Sequence, residues 1–256
     1  MFEKYRELFV SDEEYYGDFN FVTNSQLGLL KKSPKAYQDY RNGEKKETQA
    51  MTFGRAFHLA ILEPDKFYEL VVQEPIVNKR TKDGRAEISE FLISTKEKGQ
   101  IALSVADYDK VRIMQDELFA NPKVMELLSG GVAEQVSVWE DPDTGVYCKA
   151  KADYVKSNMV IDIKTTQDPS TTGFRSSSMK FGYDRQAAYY LDGFGKRDFV
   201  FIAIDKTRPH TIAIYQCSPE FIMGGMMEYK RLLSIYKEYF ILENEIAENH
   251  FIEGIL

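Results

Sequence analysis

Between Val132 and Gln216 apolar and polar residues alternate in short runs, whereas on either side of that stretch the apolar residues recur every third or fourth position. Alternation marks a strand with one buried face, and the longer period marks a helix with one buried stripe. Val132 to Glu140, Val146 to Val155 and Met159 to Thr166 therefore read as strands, joined by Asp141-Pro142-Asp143-Thr144-Gly145 and by Ser157-Asn158. Asp198 to Asp205 and Thr211 to Gln216 add two more around Lys206-Thr207-Arg208-Pro209-His210. Upstream, a helix is predicted from Thr23-Asn24-Ser25, with Asn24 or Ser25 capping a turn that carries Leu27, Leu29 and Leu30. Others run from Pro34 to about Arg41, from a Thr52 cap to about Leu62, around 86 to 98, and from Ser104 to Phe119 with a short restart after Pro122. Tyr15-Tyr16-Gly17 reads as a turn, Phe19 to Val22 as an extended piece, and residues 71 to 87 as a strand-like start that becomes a loop ending at Asp83-Gly84. Downstream, one helix runs to about Met179, a second follows Gly182, and a long amphipathic one runs from Pro219 to about Asn249. No Pro/Gly/Ser-rich linker divides these elements. The expectation is one α/β domain over residues 1–256: a helical part (22–130), a central mixed sheet (131–216) flanked by helices, and a C-terminal helix (219–249).

The hairpin at Ser157-Asn158 concentrates the chemistry. If those residues form the turn, Lys156 pairs with Met159, and stepping outward brings Asp153 opposite Asp162, with Lys164 on the same face as Asp162. Two carboxylates at cross-strand distance repel unless positive charge lies between them, and one lysine cannot neutralise both. A divalent cation can. Carboxylate oxygens, with a backbone carbonyl such as that of Ile163, suit Mg²⁺ or Mn²⁺ better than zinc. Lys164 would then orient or deprotonate the attacking water. Glu134 falls level with Asp153 to within one residue of register, facing either the cation or solvent. The alternative for the whole set is an edge hairpin with a solvated Asp153–Lys164 ion pair.

Two more positions stand out on helices. Gly54 and His58 share a face, and the glycine leaves room there for a close neighbour; a histidine packed among aromatics is the alternative. Gln186 interrupts a stripe made by Tyr183, Tyr190 and Phe194, where an amide suits a phosphate or a metal-bound water.

Asp153, Asp162 and Lys164 match the Asp…(Asp/Glu)-x-Lys core of the PD-(D/E)XK nucleases. Gln186-Ala-Ala-Tyr189-Tyr190 resembles the Gln-x-x-x-Tyr motif of the RecB-like branch, and Gly54-Arg55-Ala56-Phe57-His58 resembles its Gly-x-x-x-His helix. With Arg80-Thr81-Lys82-Asp83-Gly84 between them and Lys164-Thr165-Thr166 closing the strand, residues 22 to 216 are most similar to the exodeoxyribonuclease VIII group of phage and prophage recombination exonucleases. The resemblance implies a restriction-endonuclease-like fold and Mg²⁺-dependent removal of one strand of linear duplex DNA from its 5′ end, leaving a 3′ single-stranded tail, with Mn²⁺ able to substitute. It implies metal binding by His58 together with Asp153 and Asp162, and catalysis by these carboxylates with Lys164 and Gln186. It implies DNA contact by Arg55, Arg80, Thr165, Thr166 and Tyr190. It also implies double-stranded DNA ends as substrate, a homo-oligomeric ring of about three or four subunits, and a single-strand annealing protein as partner. A structure-specific endonuclease and a catalytically silent DNA-end-binding scaffold are the alternatives. The first acidic residue stands in Lys-Ala-Asp-Tyr, without the Pro-Asp of the superfamily's name.

Charge complicates this picture. A net charge of −7 argues against DNA, whose affinity comes from phosphate neutralisation by Lys and Arg. The acidic residues crowd the C-terminal stretch, however, and basic ones gather at Lys31-Lys32, Lys45-Lys46 and Lys79 to Arg85. A local basic channel on an acidic body is the expectation, solvated faces the alternative. Cys148 and Cys217 are isolated, which argues against a disulfide framework, a zinc site or a four-cysteine iron–sulfur cluster. The absence of a membrane-length apolar run or a signal sequence leads us to expect no membrane partner and a cytoplasmic protein of a bacterial or phage-infected cell. Finally, the apolar residues of 219–249, Met226, Met227, Leu232 and Leu233 among them, cover more than one stripe. They call either for a second subunit or for packing on both sheet and helices of the same chain.

Overall fold

The computed structural model describes residues 12–43 and 48–246, so Lys45-Lys46 and the expected helix end at Asn249 lie outside the described residues. Helices α1 (Asp12–Gly17), α2 (Asn24–Leu30), α3 (Pro34–Asn42), α4 (Gln49–Leu62) and α5 (Pro64–Leu70) come first. Short strands β1 (Val71–Gln73) and β2 (Ile101–Leu103) pair in parallel across helix α6 (Lys82–Glu97). Helices α7 (Val105–Ala120) and α8 (Pro122–Leu127) lead into β3 (Val132–Glu140), β4 (Tyr147–Lys156) and β5 (Met159–Thr166). Helices α9 (Thr171–Phe181) and α10 (Tyr183–Phe194), strands β6 (Asp198–Asp205) and β7 (Ile212–Gln216), and helix α11 (Pro219–Tyr236) complete the order. The expected mixed sheet has five strands in the order β3-β4-β5-β6-β7. Only β5 and β6 are parallel, and α9 and α10 supply the crossover that a parallel pair requires.

Strand alternation sorts the core into two layers. Ile161 and Ile163 of β5, with Val200, Ile202 and Ile204 of β6, pack against Phe53, Phe57, Val111, Met114 and Leu118 of α4 and α7. Val160 of β5, with Phe199, Phe201 and Ala203 of β6, packs on the opposite side against Ala187 and Leu191 of α10 and Phe174 of α9. The N-terminal segment is tied to the sheet by buried Lys149, whose ammonium donates to the carbonyls of Tyr15 and Asp18. Val22 bonds to β4 on both sides, its N–H to Tyr147 and its carbonyl to the Lys149 N–H, each at 2.8 Å.

Helix starts differ from expectation by up to a turn. Thr23, not Asn24 or Ser25, caps α2, and Gln26 returns the bond to the Thr23 N–H in a capping box. Thr48, not Thr52, caps α4. Thr81 caps α6 by accepting the Gly84 N–H, so Asp83-Gly84 lies in a first helical turn and does not close a loop. A Cβ at Gly84 would stand 2.2 Å from the Asn78 carbonyl oxygen, which explains the glycine there. Tyr15 belongs to α1, not to a turn. Helix α11 widens into a single π-turn at Lys237–Ile241 and stops. Tyr229, Leu232, Leu233 and Tyr236 face the core, while Met223 (59%) and Met227 (71%) stay exposed. Among the described residues no helix is long and apolar enough to cross a membrane.

Candidate active site

The β4–β5 ladder runs from Lys156–Met159 to Tyr154–Ile161 and ends there. In that register Asp153 is level with Asp162, as expected, but the strands part: the Ile163 N–H donates to Asp153 Oδ2 (2.7 Å) and not to a main-chain carbonyl. On the other side of β4, the pairs Ala133–Tyr154 and Gln135–Ala152 leave Glu134 level with Asp153 and outside the ladder, at φ +51°. Holding a non-glycine residue left-handed costs about 1 kcal/mol or more. Here it brings the Glu134 carboxylate to 2.7 Å from Lys151 Nζ and within reach of Asp153. Two ladder defects at one level thus open the sheet where its acidic groups meet.

Helix α4 covers this opening. Its residues Phe53, Ala56, Phe57 and Ala60 are buried against the sheet, which sets half-buried His58 over the fork. His58 Nδ1 lies 3.4 Å from Asp153 Oδ1, and Nε2 lies 3.0 Å from the Ile163 carbonyl oxygen. Ligand atoms of His58, Glu134 and Asp153 lie within 4.8 Å of one another. From the other layer, Gln186 of α10 donates to Asp162 Oδ1 (2.5 Å), and Lys164 Nζ stands 2.6 Å from Asp162 Oδ2. Lys164 in turn lies over the ring of Tyr183, 5.0 Å from its centroid. Gln186 was expected at a phosphate or a metal-bound water; its amide instead holds Asp162.

The electrostatics follow from burial and mutual charge. Burial pushes Asp162 up to about 6; Lys164 offsets part of that rise and Asp153 adds to it. Burial would raise Asp153 too, but His58, Lys164 and the Ile163 N–H outweigh it and hold it below the ordinary carboxylate range. Burial also opposes a charged imidazole, yet Asp153 and then Asp162 carry His58 up to about 9. Glu134 is raised by burial, with Lys151 opposing. Lys164 loses from burial but gains more from Asp162 and Asp153, so it stays an ammonium.

These groups fit a hard divalent cation. The ligand atoms that lie together are those of His58, Glu134 and Asp153, an oxygen-rich set, and Asp162 stands beside them outside that group, its oxygens on Gln186 and Lys164. Asp162 Oδ2 is buried with the Lys164 ammonium 2.6 Å away, and its second lone pair leaves it acceptor capacity to spare.

The family assignment rests on this fork together with the sequence match. Residues 23–246 match the model of a family described as a PDDEXK-like domain of unknown function, DUF3799. The chain belongs to that PDDEXK-like family. The fold of this PDDEXK-like protein is similar to that of a candidate exonuclease from Eubacterium rectale, covering 96% of each chain at 16% identity with a TM-score of 0.63. An alkaline exonuclease from Laribacter hongkongensis aligns with 91% of this chain and 97% of its own at 13% identity, with a TM-score of 0.40. At 16% identity the likeness to the Eubacterium rectale protein is one of fold. A search of curated protein sequences finds no match.

Other expected residues of the PDDEXK-like protein lie around or away from the fork. Thr165 and Thr166 continue β5 past Lys164, and Thr166 Oγ1 bonds to the Asp168 backbone. Arg55 is exposed on α4, and Arg80 is exposed just before α6, its N–H on Asn78. Tyr190 is not brought to the carboxylates: its ring packs against Phe199 and Phe194, one turn beyond Gln186. The Ile163 carbonyl, expected at the cation, faces His58. Two of the expected basic runs are partly spent within the chain, Lys31 on Glu228 and Lys79 on Glu74. Lys151 was missed, although the spacing of Lys149, Lys151 and Asp153 along one strand face could have flagged it.

Proposed function

We propose that this protein is a divalent-metal-dependent DNA exonuclease that removes one strand of linear duplex DNA, from the 5′ end as in the exodeoxyribonuclease VIII group it resembles. The observation that carries the reading is the convergence of His58, Glu134, Asp153, Asp162 and Lys164, from four elements, on one opening in the sheet. His58, Glu134, Asp153 and Asp162 would hold the cation, Mg²⁺ or Mn²⁺. A cation there polarises a phosphoryl oxygen and lowers the pKa of a bound water. Lys164, kept protonated by its carboxylate neighbours, orients the water and offsets negative charge developing on the phosphate, a better use of an ammonium than proton abstraction. Tyr183 holds Lys164 from below, and Gln186 fixes Asp162 so that Oδ2 stays toward the lysine.

In this reading the acidic body grips DNA as a closed ring of about three or four subunits, with exposed Met223 and Met227 of α11 at the contact. It acts in the cytoplasm and passes its 3′ tail to a single-strand annealing protein. An end-labelled linear duplex beside a closed circle, with and without Mg²⁺, tests the activity. Loss of label from the linear substrate alone supports an exonuclease, nicking of the circle an endonuclease, and neither a DNA-end-binding scaffold.

A further inference from the structure

Helix α4, which carries His58, also carries an aromatic ring that meets two ammonium groups from distant parts of the sequence. Lys110 of α7 and Lys206, just after β6, both lie over the ring of Phe53, their Nζ atoms 6.0 Å and 5.4 Å from its centroid. Like charges gathered on one ring repel each other. The nearest counter-charge is weak: Asp107 Oδ1 is 3.9 Å from Lys110, and its other oxygen accepts from Ser104 Oγ at 2.9 Å. Burial, and then the charge of Lys110, lower the Lys206 pKa, while Asp107 opposes them. Beside Phe53 the helix presents Gly54, where an added Cβ would meet nothing within 4 Å, so the approach is open. Two ammonium groups that share one carboxylate keep excess positive charge beside an open helix face, which suits an anion.

Position narrows which anion. The Lys206 N–H donates to the Thr166 carbonyl (2.9 Å), at the end of the strand that carries Lys164. At ~3.3 Å per strand residue, the Lys206 backbone lies about 7 Å beyond that of Lys164. Phe53 precedes His58 by five residues of helix α4, a rise of about 7.5 Å at ~1.5 Å per residue. Successive phosphates of one strand are farther apart than the ~3.4 Å axial rise per nucleotide, so both measures agree with a phosphate one or two linkages from the scissile bond.

We propose that Lys110 and Lys206 bind one backbone phosphate of the DNA strand, one or two linkages from the scissile bond. The site rests on the nuclease reading for its ligand, though not for its geometry. The test uses the Lys110→Gln/Lys206→Gln double variant, with Lys123→Gln, a lysine paired to Glu126 at 2.9 Å, as control. Duplex binding is measured by fluorescence anisotropy in EDTA across a KCl series, and cleavage in Mg²⁺. Loss of one phosphate contact lowers the slope of log K against log salt by about 0.9 in the double variant only. KM rises about 10-fold, the loss expected for a charge-assisted bond, with kcat unchanged. A neutral methylphosphonate placed one or two linkages from the cut weakens the wild type and not the variant. A cleaving protein whose double variant keeps the wild-type slope removes the site and leaves the nuclease. A wild type that binds duplex, loses slope in the variant and never cleaves removes the nuclease and leaves the site; one that does not bind duplex removes both.

Discussion

Asp162→Asn is expected to stabilise the protein in EDTA while abolishing cleavage. Asp162 is 2% exposed, and its pKa is pushed from 3.8 up to about 6 by burial, partly offset by Lys164. The folded state therefore binds the proton more tightly than the unfolded chain, so stability falls as pH rises from about 4 to about 6 and the cost is complete above that. A shift of about two units corresponds to about 3 kcal/mol at pH 8. Asparagine keeps an oxygen for the Gln186 amide and removes the charge, but leaves Lys164 without its partner 2.6 Å away, which returns part of the gain. The net expectation is about 1–2 kcal/mol at pH 8, or a melting midpoint higher by about 3–6 °C for a chain of this size. At pH 4, where wild-type Asp162 is already protonated, the difference should vanish or reverse. Calorimetry of both proteins at the two pH values, in EDTA and then in excess Mg²⁺, checks this. Excess Mg²⁺ should raise the wild-type midpoint more than that of the variant. A variant that melts below wild type at pH 8, or a gain that does not change with pH, would refute the account of Asp162 as a strained carboxylate.

His58, carried up to about 9, contributes stability that is complete below pH 6.5 and lost as pH rises through about 9. A cation must displace its proton, so the Mn²⁺-induced rise in melting midpoint should grow between pH 7 and 9 in wild type and stay flat in His58→Ala. Lys164→Ala should lower kcat by at least about 100-fold, as for loss of a transition-state donor, with circular dichroism unchanged. Gln186→Ala leaves Asp162 Oδ1 without its donor, costing about 1–3 kcal/mol and lowering kcat more than KM; equal losses of activity and of folded protein would assign it to packing alone. Met223→Glu with Met227→Glu should split the ring, read as a fall in mass by light scattering; an unchanged multimer places the contact elsewhere.

Much of the sheet was readable because period two and turn chemistry are local. Val132 to Glu140 alternates, Ser157-Asn158 permits a tight turn, and from these the Asp153–Asp162 level follows by counting. Helix starts were less readable because Thr48 and Thr52 differ by one turn and present the same apolar face to the core. Only the bond from the Met51 N–H to Thr48 Oγ1 decides between them. At the α6 start, the clash that keeps Gly84 free of a side chain involves a carbonyl six residues upstream.

The site was readable where motif residues lie on regular elements and unreadable where it depends on departures from them. Asp162 and Lys164 follow from strand alternation, but the inward turn of Glu134 depends on a positive φ that no residue preference predicts for glutamate. The charge of a lysine likewise depends on partners distant in sequence. Lys31 lies in a basic run and meets Glu228, whereas Lys110 and Lys206, outside the basic runs, both lie over Phe53. Runs of like charge along the chain were therefore a poor guide to where positive charge is left over. Folding pairs neighbours in a run with acids from elsewhere, and an excess remains where it brings two lysines to one aspartate, as at Lys110, Lys206 and Asp107.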